Sequence, residues 1–118
     1  MNYYEQLIYR FALRYQARKI YPATVICARL NQEVVIDKSG AVPVPLAAQL
    51  EIRLSALGEI GTRNNGGNFI GRCAEVRASN PILLGNLARR PNQVNFTNAY
   101  RPRTMQIIVR CNNCNQTF

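Results

Sequence analysis

Three thiols and one carboxylate in this chain are spaced as a metal site with a proton carrier beside it. Cys73-Ala74-Glu75 supplies one thiol and the carboxylate; Cys111-Asn112-Asn113-Cys114 supplies two more thiols, with Cys111 38 positions after Cys73. A catalytic Zn²⁺ takes three protein ligands and leaves the fourth position to water. Cys73, Cys111 and Cys114 meet that number. Glu75 lies two residues from the first thiol, so on a helix it cannot easily share that thiol's direction. It can lean over the adjacent pocket, where a general acid/base is needed. Zinc makes hydroxide available near neutral pH, and the combination suits a hydrolysis.

The two motifs need elements to bring them together. Both thiols of a C-x-x-C reach one metal if the turn between them opens a helix, where backbone N–H groups also favour thiolate. Met105 to Val109 reads as a strand leading into Cys111, with only Asn115 to Phe118 left for that helix. Cys73 follows a polar, glycine-rich loop from Thr62 to Gly71, Arg63-Asn64-Asn65-Gly66-Gly67-Asn68 at its heart. This loop carries neither a Walker pattern nor G-x-G-x-x-G. From Cys73 a helix is expected to Ser79. Asn80-Pro81 then breaks or kinks it, because a residue before proline avoids the helical region. Ile82 to Leu87 continues as a short helical segment, closed by Arg89-Arg90-Pro91.

Blander readings stand beside this one. Glu75 could be a first-turn carboxylate that satisfies a helix dipole. Cys111 and Cys114 could hold a structural zinc. As a thioredoxin-like redox pair they lack room for the β-α-β context, this close to Phe118. Four cysteines could form two disulfides, but a chain this rich in aliphatic residues does not depend on them. Cys27 sits in the apolar run Thr24-Val25-Ile26-Cys27-Ala28 and reads as a buried core thiol. As a fourth ligand it would close a Cys₄ zinc site, giving an arginine-rich nucleic-acid-binding module without catalysis.

The totals narrow the class. The 118 residues make one domain, with a helix over 1–20 and a core over 23–118. At 47% hydrophobic and 18% charged residues it is globular. No apolar run is long enough for a membrane span, and no signal peptide is apparent. There is no histidine, which removes Ser-His and Cys-His nucleophile pairs. The net charge is +9, and 13 of the 15 basic residues are Arg. That points to an anionic partner, with Arg suited to phosphate forks and to stacking on bases. A solvated basic surface, or one matched to an acidic protein, would look the same.

Along the chain, Tyr4, Leu7, Ile8, Phe11 and Tyr15 recur at helical spacing, with arginines among them. Thr24 to Leu30 and Gln32 to Asp37 read as two strands around a turn near Asn31. Val34-Val35-Ile36 suggests burial on both faces. Pro45 fits the first turn of a helix from Leu46 to Leu57, with Leu46, Leu50, Leu54 and Leu57 on one face. Asn92 to Pro102 reads as loop or irregular strand. Its Phe96 and Tyr100, among Arg89, Arg90, Arg101 and Arg103, could stack unpaired bases.

Cys73-Ala74-Glu75 followed by Cys111-x-x-Cys114 resembles the cytidine deaminase superfamily. The run from Gly67 to Glu75, with the Cys111-x-Asn113-Cys114 ending, is most similar to the YwqJ-like deaminases, the C-terminal toxin domains of bacterial polymorphic toxins. The likeness runs from about Val44 to Phe118. It implies a three-layer α/β/α fold: a small mixed sheet with helices on its faces, C-terminally truncated relative to full-length deaminases. It implies one catalytic Zn²⁺ on Cys73, Cys111 and Cys114, with Glu75 moving protons. The substrate would be cytosine in DNA or RNA, single-stranded or flipped. Asn68, Ala74 and Arg110 would contact that substrate, and Arg89, Arg90, Phe96 and Tyr100 the nucleic acid. A toxin domain would be secreted or delivered, would act in the target-cell cytoplasm, and would meet an acidic immunity protein. Two positions depart from the superfamily pattern. Arg110 replaces the usual proline before C-x-x-C, and Val76 stands where Cys₃ enzymes often carry arginine. Three thiolates need a compensating cation, from Arg72, Arg77 or Arg110.

Overall fold

Asn2 starts the first helix: its side-chain oxygen accepts from the Glu5 N–H at 2.8 Å, satisfying one open amide of α1, Tyr3–Arg18. Lys19 ends it in the left-handed conformation at φ 57°. In the computed structural model, which describes residues 2–64 and 67–118, ten short elements follow one another. After α1 come β1 (Val25–Leu30), β2 (Glu33–Lys38), α2 (Ala48–Ser55) and α3 (Ala74–Leu84). A 3₁₀ turn at Pro91–Gln93 leads to β3 (Asn95–Phe96), β4 (Ala99–Arg101), β5 (Gln106–Ile108) and α4 (Asn112–Thr117). The result is a mixed α/β domain with one five-stranded sheet and four α-helices among the described residues.

The strand order is β2-β1-β4-β5, with β3 also paired to β1, and every ladder is antiparallel. The expected mixed sheet is therefore corrected. β1 and β2 are joined by the tight turn Asn31-Gln32, with Asn31 at φ 56°. β4 and β5 are joined across Pro102–Met105. Links this short return the chain antiparallel, whereas a parallel pair needs a long crossover. All five strands precede Cys111.

β1 runs through the middle, and its alternate residues face opposite ways. Val25 and Cys27 pack with Ile8 and Ala12 of α1 and with Tyr100. Ile26 and Ala28 pack in the larger core with Val76, Ile82 and Leu83 of α3 and with Leu50 and Leu54 of α2. Burying each such leucine contributes about 1.5–3 kcal/mol.

Three local expectations change. β2 lies at the sheet edge with Val34 41% exposed, so Val34-Val35-Ile36 is not buried on both faces. Pro45 follows a cis Val44–Pro45 bond and precedes α2, whose N-cap is Ala47. The third is α3, which does not stop at Ser79 but continues through Pro81 to Leu84. Pro81 is exposed, while Ile82 and Leu83 beyond it are fully buried. Asn80 is fixed by accepting from the Ala47 N–H at 2.7 Å and donating to the Pro45 carbonyl at 2.9 Å. Tertiary packing thus outweighs the proline penalty.

β3 and β4 are one strand interrupted by a bulge. Ala28 pairs with Phe96 and Val25 with Tyr100, leaving one extra residue on the second strand. Thr97 keeps both bonds to Cys27: its N–H donates to the Cys27 carbonyl, and its Oγ1 accepts from the Cys27 N–H. The Asn98 N–H turns instead to the Glu5 side chain, at 2.8 Å. Bulges of this kind re-aim groups beside functional sites.

Candidate functional site

The chain reaches the first thiol through Gly71, at φ +89°, a conformation that strains any other residue. A Cβ there would lie 3.3 Å from Ile60 Cγ2 and 3.5 Å from Leu54 Cδ1, so the bare backbone also fits tightly against the core. Cys73 follows as the N-cap of α3, extended at ψ 159°, with no capping bond from its sulfur. Ala74 and Val76 are fully buried in the core, and this clamps the first turn. Glu75, between them, is 5% exposed.

The second pair arrives from β5. Cys111 is the N-cap of α4, and Cys114 lies in that helix at 1% exposure. The strand, C-x-x-C, helix order matches expectation. α4 is short but well tied. Arg53 of α2 donates to the Thr117 carbonyl at 2.6 Å, the Asn64 amide donates to Asn113 Oδ1, and Phe118 packs edge-on against Phe96. Asn64 belongs to the glycine-rich loop, whose Asn65 and Gly66 lie outside the described residues.

The two helix starts converge. One donor atom each from Cys73, Glu75 and Cys114 lies within 4.8 Å of the others, a group that could hold a metal ion. All four cysteines are free thiols. Cys111 adjoins the group through Cys114. Hydrogen bonding from the Cys114 thiol lowers the Cys111 pKa to about 6, against the opposing effect of burial and with help from the Asn113 and Cys114 amides. Cys114 is pushed up instead, by its hydrogen bonds to Cys111 and Cys73 and then by burial. The sulfurs thus form a chain, Cys111 to Cys114 to Cys73, and of the three expected ligands Cys111 is the one outside the 4.8 Å group, its place there taken by Glu75. Cys27 is elsewhere: it packs toward α1, and burial raises its pKa. The expected core thiol is therefore found.

Of the three candidate compensating cations, Arg110 is the one that faces the carboxylate, with Nε 3.9 Å from Glu75 Oε2. Its guanidinium lies 5.2 Å from the Phe96 ring centre and 6.0 Å from that of Phe118. Arg77 is engaged by the Ala41 carbonyl and Asp37, and Arg72 by the Gly40 carbonyl and the Phe69 ring.

A cleft of about 330 Å³ opens over Glu75, with Arg110, Phe96 and Asn98 on its walls. That is the low end for a small-molecule site. A hollow of about 90 Å³ reaches Cys73, Glu75 and Cys111. The cleft also takes Glu5 of α1, which no spacing in the sequence tied to Glu75. Asn2-x-x-Glu5 reads as a helix start; only the bulge at Asn98 draws Glu5 into the cleft wall.

The other expected residues scatter. Asn68 is exposed in its loop and lines neither the cleft nor the hollow. The methyl group of Ala74 is in the core, leaving only main chain for a ligand. Arg89 is half-buried, donating to Glu33 and to the Ile82 carbonyl at 2.8 Å each, while Arg90 is exposed. Phe96 lines the cleft. Tyr100 is corrected: at 4% exposure, edge-on to Tyr9, its ring has no face for a base.

No protein-family model matches the chain, and no curated protein or solved structure is similar to it. Among the described residues, no helix is long and apolar enough to cross a membrane.

Proposed function

We propose that this chain is a zinc-dependent nucleobase deaminase, removing the exocyclic amine of cytosine in nucleic acid by hydrolysis, and that it serves as a toxin effector domain. The observation that carries the reading is the meeting of Cys73, Glu75 and Cys114 within 4.8 Å, at the starts of two helices 38 positions apart in sequence. Helices on both faces of the sheet suit the three-layer architecture that the resemblance implies.

Cys73, Cys111 and Cys114 would hold the zinc, a thiol set it favours. A zinc so bound supplies hydroxide near neutral pH. Glu75 would carry two protons in turn, the first from the attacking water to the ring nitrogen and the second from the new hydroxyl group to the amine, which departs as ammonia. Arg110 holds the Glu75 carboxylate in place and offsets thiolate charge. The walls of the cleft exclude bulk water and admit a single base, which must be unpaired or flipped out.

The competing module with a closed Cys₄ zinc loses its fourth ligand, because Cys27 packs on the α1 side of the sheet. The experiment is brief expression in bacteria followed by sequencing of DNA and RNA. C→T or C→U changes that vanish with Glu75→Ala support the reading. Their absence alongside undiminished toxicity opposes it.

A further inference from the structure

The basic residues of this surface that stack on aromatic rings mark a route to Cys73. Arg63 and Arg72 both lie over Phe69, 4.7 and 4.4 Å from its ring centre. Arg103 lies over Tyr21 at 5.1 Å. All three arginines are exposed, and among the described residues none has a carboxylate within 4.0 Å. Arg77, Arg89 and Arg110, by contrast, each face one. A guanidinium stacked on a ring keeps N–H groups in its plane to fork a phosphate; Arg72 spends only its Nε–H, on the Gly40 carbonyl.

These pairs border two hollows that share Ala23, with the thiol hollow beside them. One, of about 240 Å³, lies between Tyr21, Ala23 and Arg103. The next, also about 240 Å³, lies between Ala23, Phe69 and Arg72. The third is lined by Thr24 and Cys73, the chain neighbours of Ala23 and Arg72, and by Glu75. The depression thus runs from Arg103 to Arg72 and ends one residue along the chain from Cys73.

We propose that this depression is a track for the sugar-phosphate backbone of single-stranded nucleic acid, with Arg103, Arg72 and Arg63 on its phosphates. The proposal builds on the deaminase reading by fixing where the strand approaches. Two positive charges on one ring repel each other unless an anion lies between them, and a strand supplies regularly spaced anions without needing a matched protein shape. Arg10 and Arg14 of α1 line none of the three hollows, although the end of α1 reaches Arg103 through Gln16.

The test is fluorescence anisotropy with a labelled oligodeoxycytidine of about 12 nucleotides, within the usual range of single-strand site sizes. Affinity is measured across a salt series. The double variant Arg72→Ala/Arg103→Ala should bind more weakly, and its slope of log affinity against log salt should flatten by about 0.7 per lost phosphate contact. Arg10→Ala/Arg14→Ala should leave the slope unchanged. Equal flattening by both doubles, an unchanged slope in the first, or no binding by the unaltered protein at the lowest salt would overturn the proposal. Binding is read without turnover, so a track that survives in a protein that does not deaminate would sink only the deaminase reading.

Discussion

Arg110 Nε stands 3.9 Å from Glu75 Oε2, and the same guanidinium rests over Phe96. Arg110 therefore supplies the cation that faces the buried carboxylate. Arg110→Ala should cost about 0.5–1 kcal/mol of stability, the range for an exposed cation–π contact, read from the urea midpoint. Arg110→Lys should recover little of it, because an ammonium lacks the planar face that stacks. Full recovery by lysine would mean that charge alone matters there.

Gly71→Ala probes the turn that delivers Cys73. The positive φ and the 3.3 Å approach to Ile60 Cγ2 make this substitution strained. A loss of about 1–3 kcal/mol is expected, with weaker metal retention because the first ligand shifts. Unchanged stability would show that the turn relaxes freely.

Thiol reactivity should follow the site's electrostatics. In metal-free protein, Cys111 is held near 6, so its alkylation rate should rise as pH climbs through about 6 and then level off. Cys114 and Cys27, both raised and both buried, should label last. Peptide mass spectrometry after timed iodoacetamide treatment checks the order. Cys27 reacting ahead of Cys111 would contradict it.

Much of this arrangement was legible in the sequence, and the failures have physical causes. The 3.6-residue pattern marked α1 to within two residues at each end, because a single stripe carrying Ile8 and Ala12 docks on the sheet. The β-branched runs marked β1 and β2, but edge or centre is a tertiary matter that Val34-Val35-Ile36 cannot encode. Cys73 and Cys111 were placed at helix starts by the glycine loop and the strand before them. Pro81 misled because burial of Ile82 and Leu83 outweighs a local preference. Tyr100 misled because alternation along β4 turns it toward α1. Glu5 was invisible because a single-residue bulge some ninety positions away brings it to the cleft.

Metal retention separates the ligands. One zinc per chain is expected, lost on Cys73→Ala, Cys111→Ala or Cys114→Ala and kept on Cys27→Ala, by elemental analysis of purified protein. Retention without Cys111 would point to the tighter group in which Glu75 serves as the third donor.

The central claim is that Glu75 moves protons and is not a ligand. The decisive measurement is deamination of a cytosine-containing oligonucleotide by Glu75→Gln, with zinc content and melting temperature recorded on the same sample. General acid/base groups contribute typically about 10²–10⁴-fold, and this one serves several transfers. Zinc and fold should be kept while the rate falls to the far end of that range or beyond. Undiminished deamination in a folded, zinc-loaded Glu75→Gln protein would contradict it.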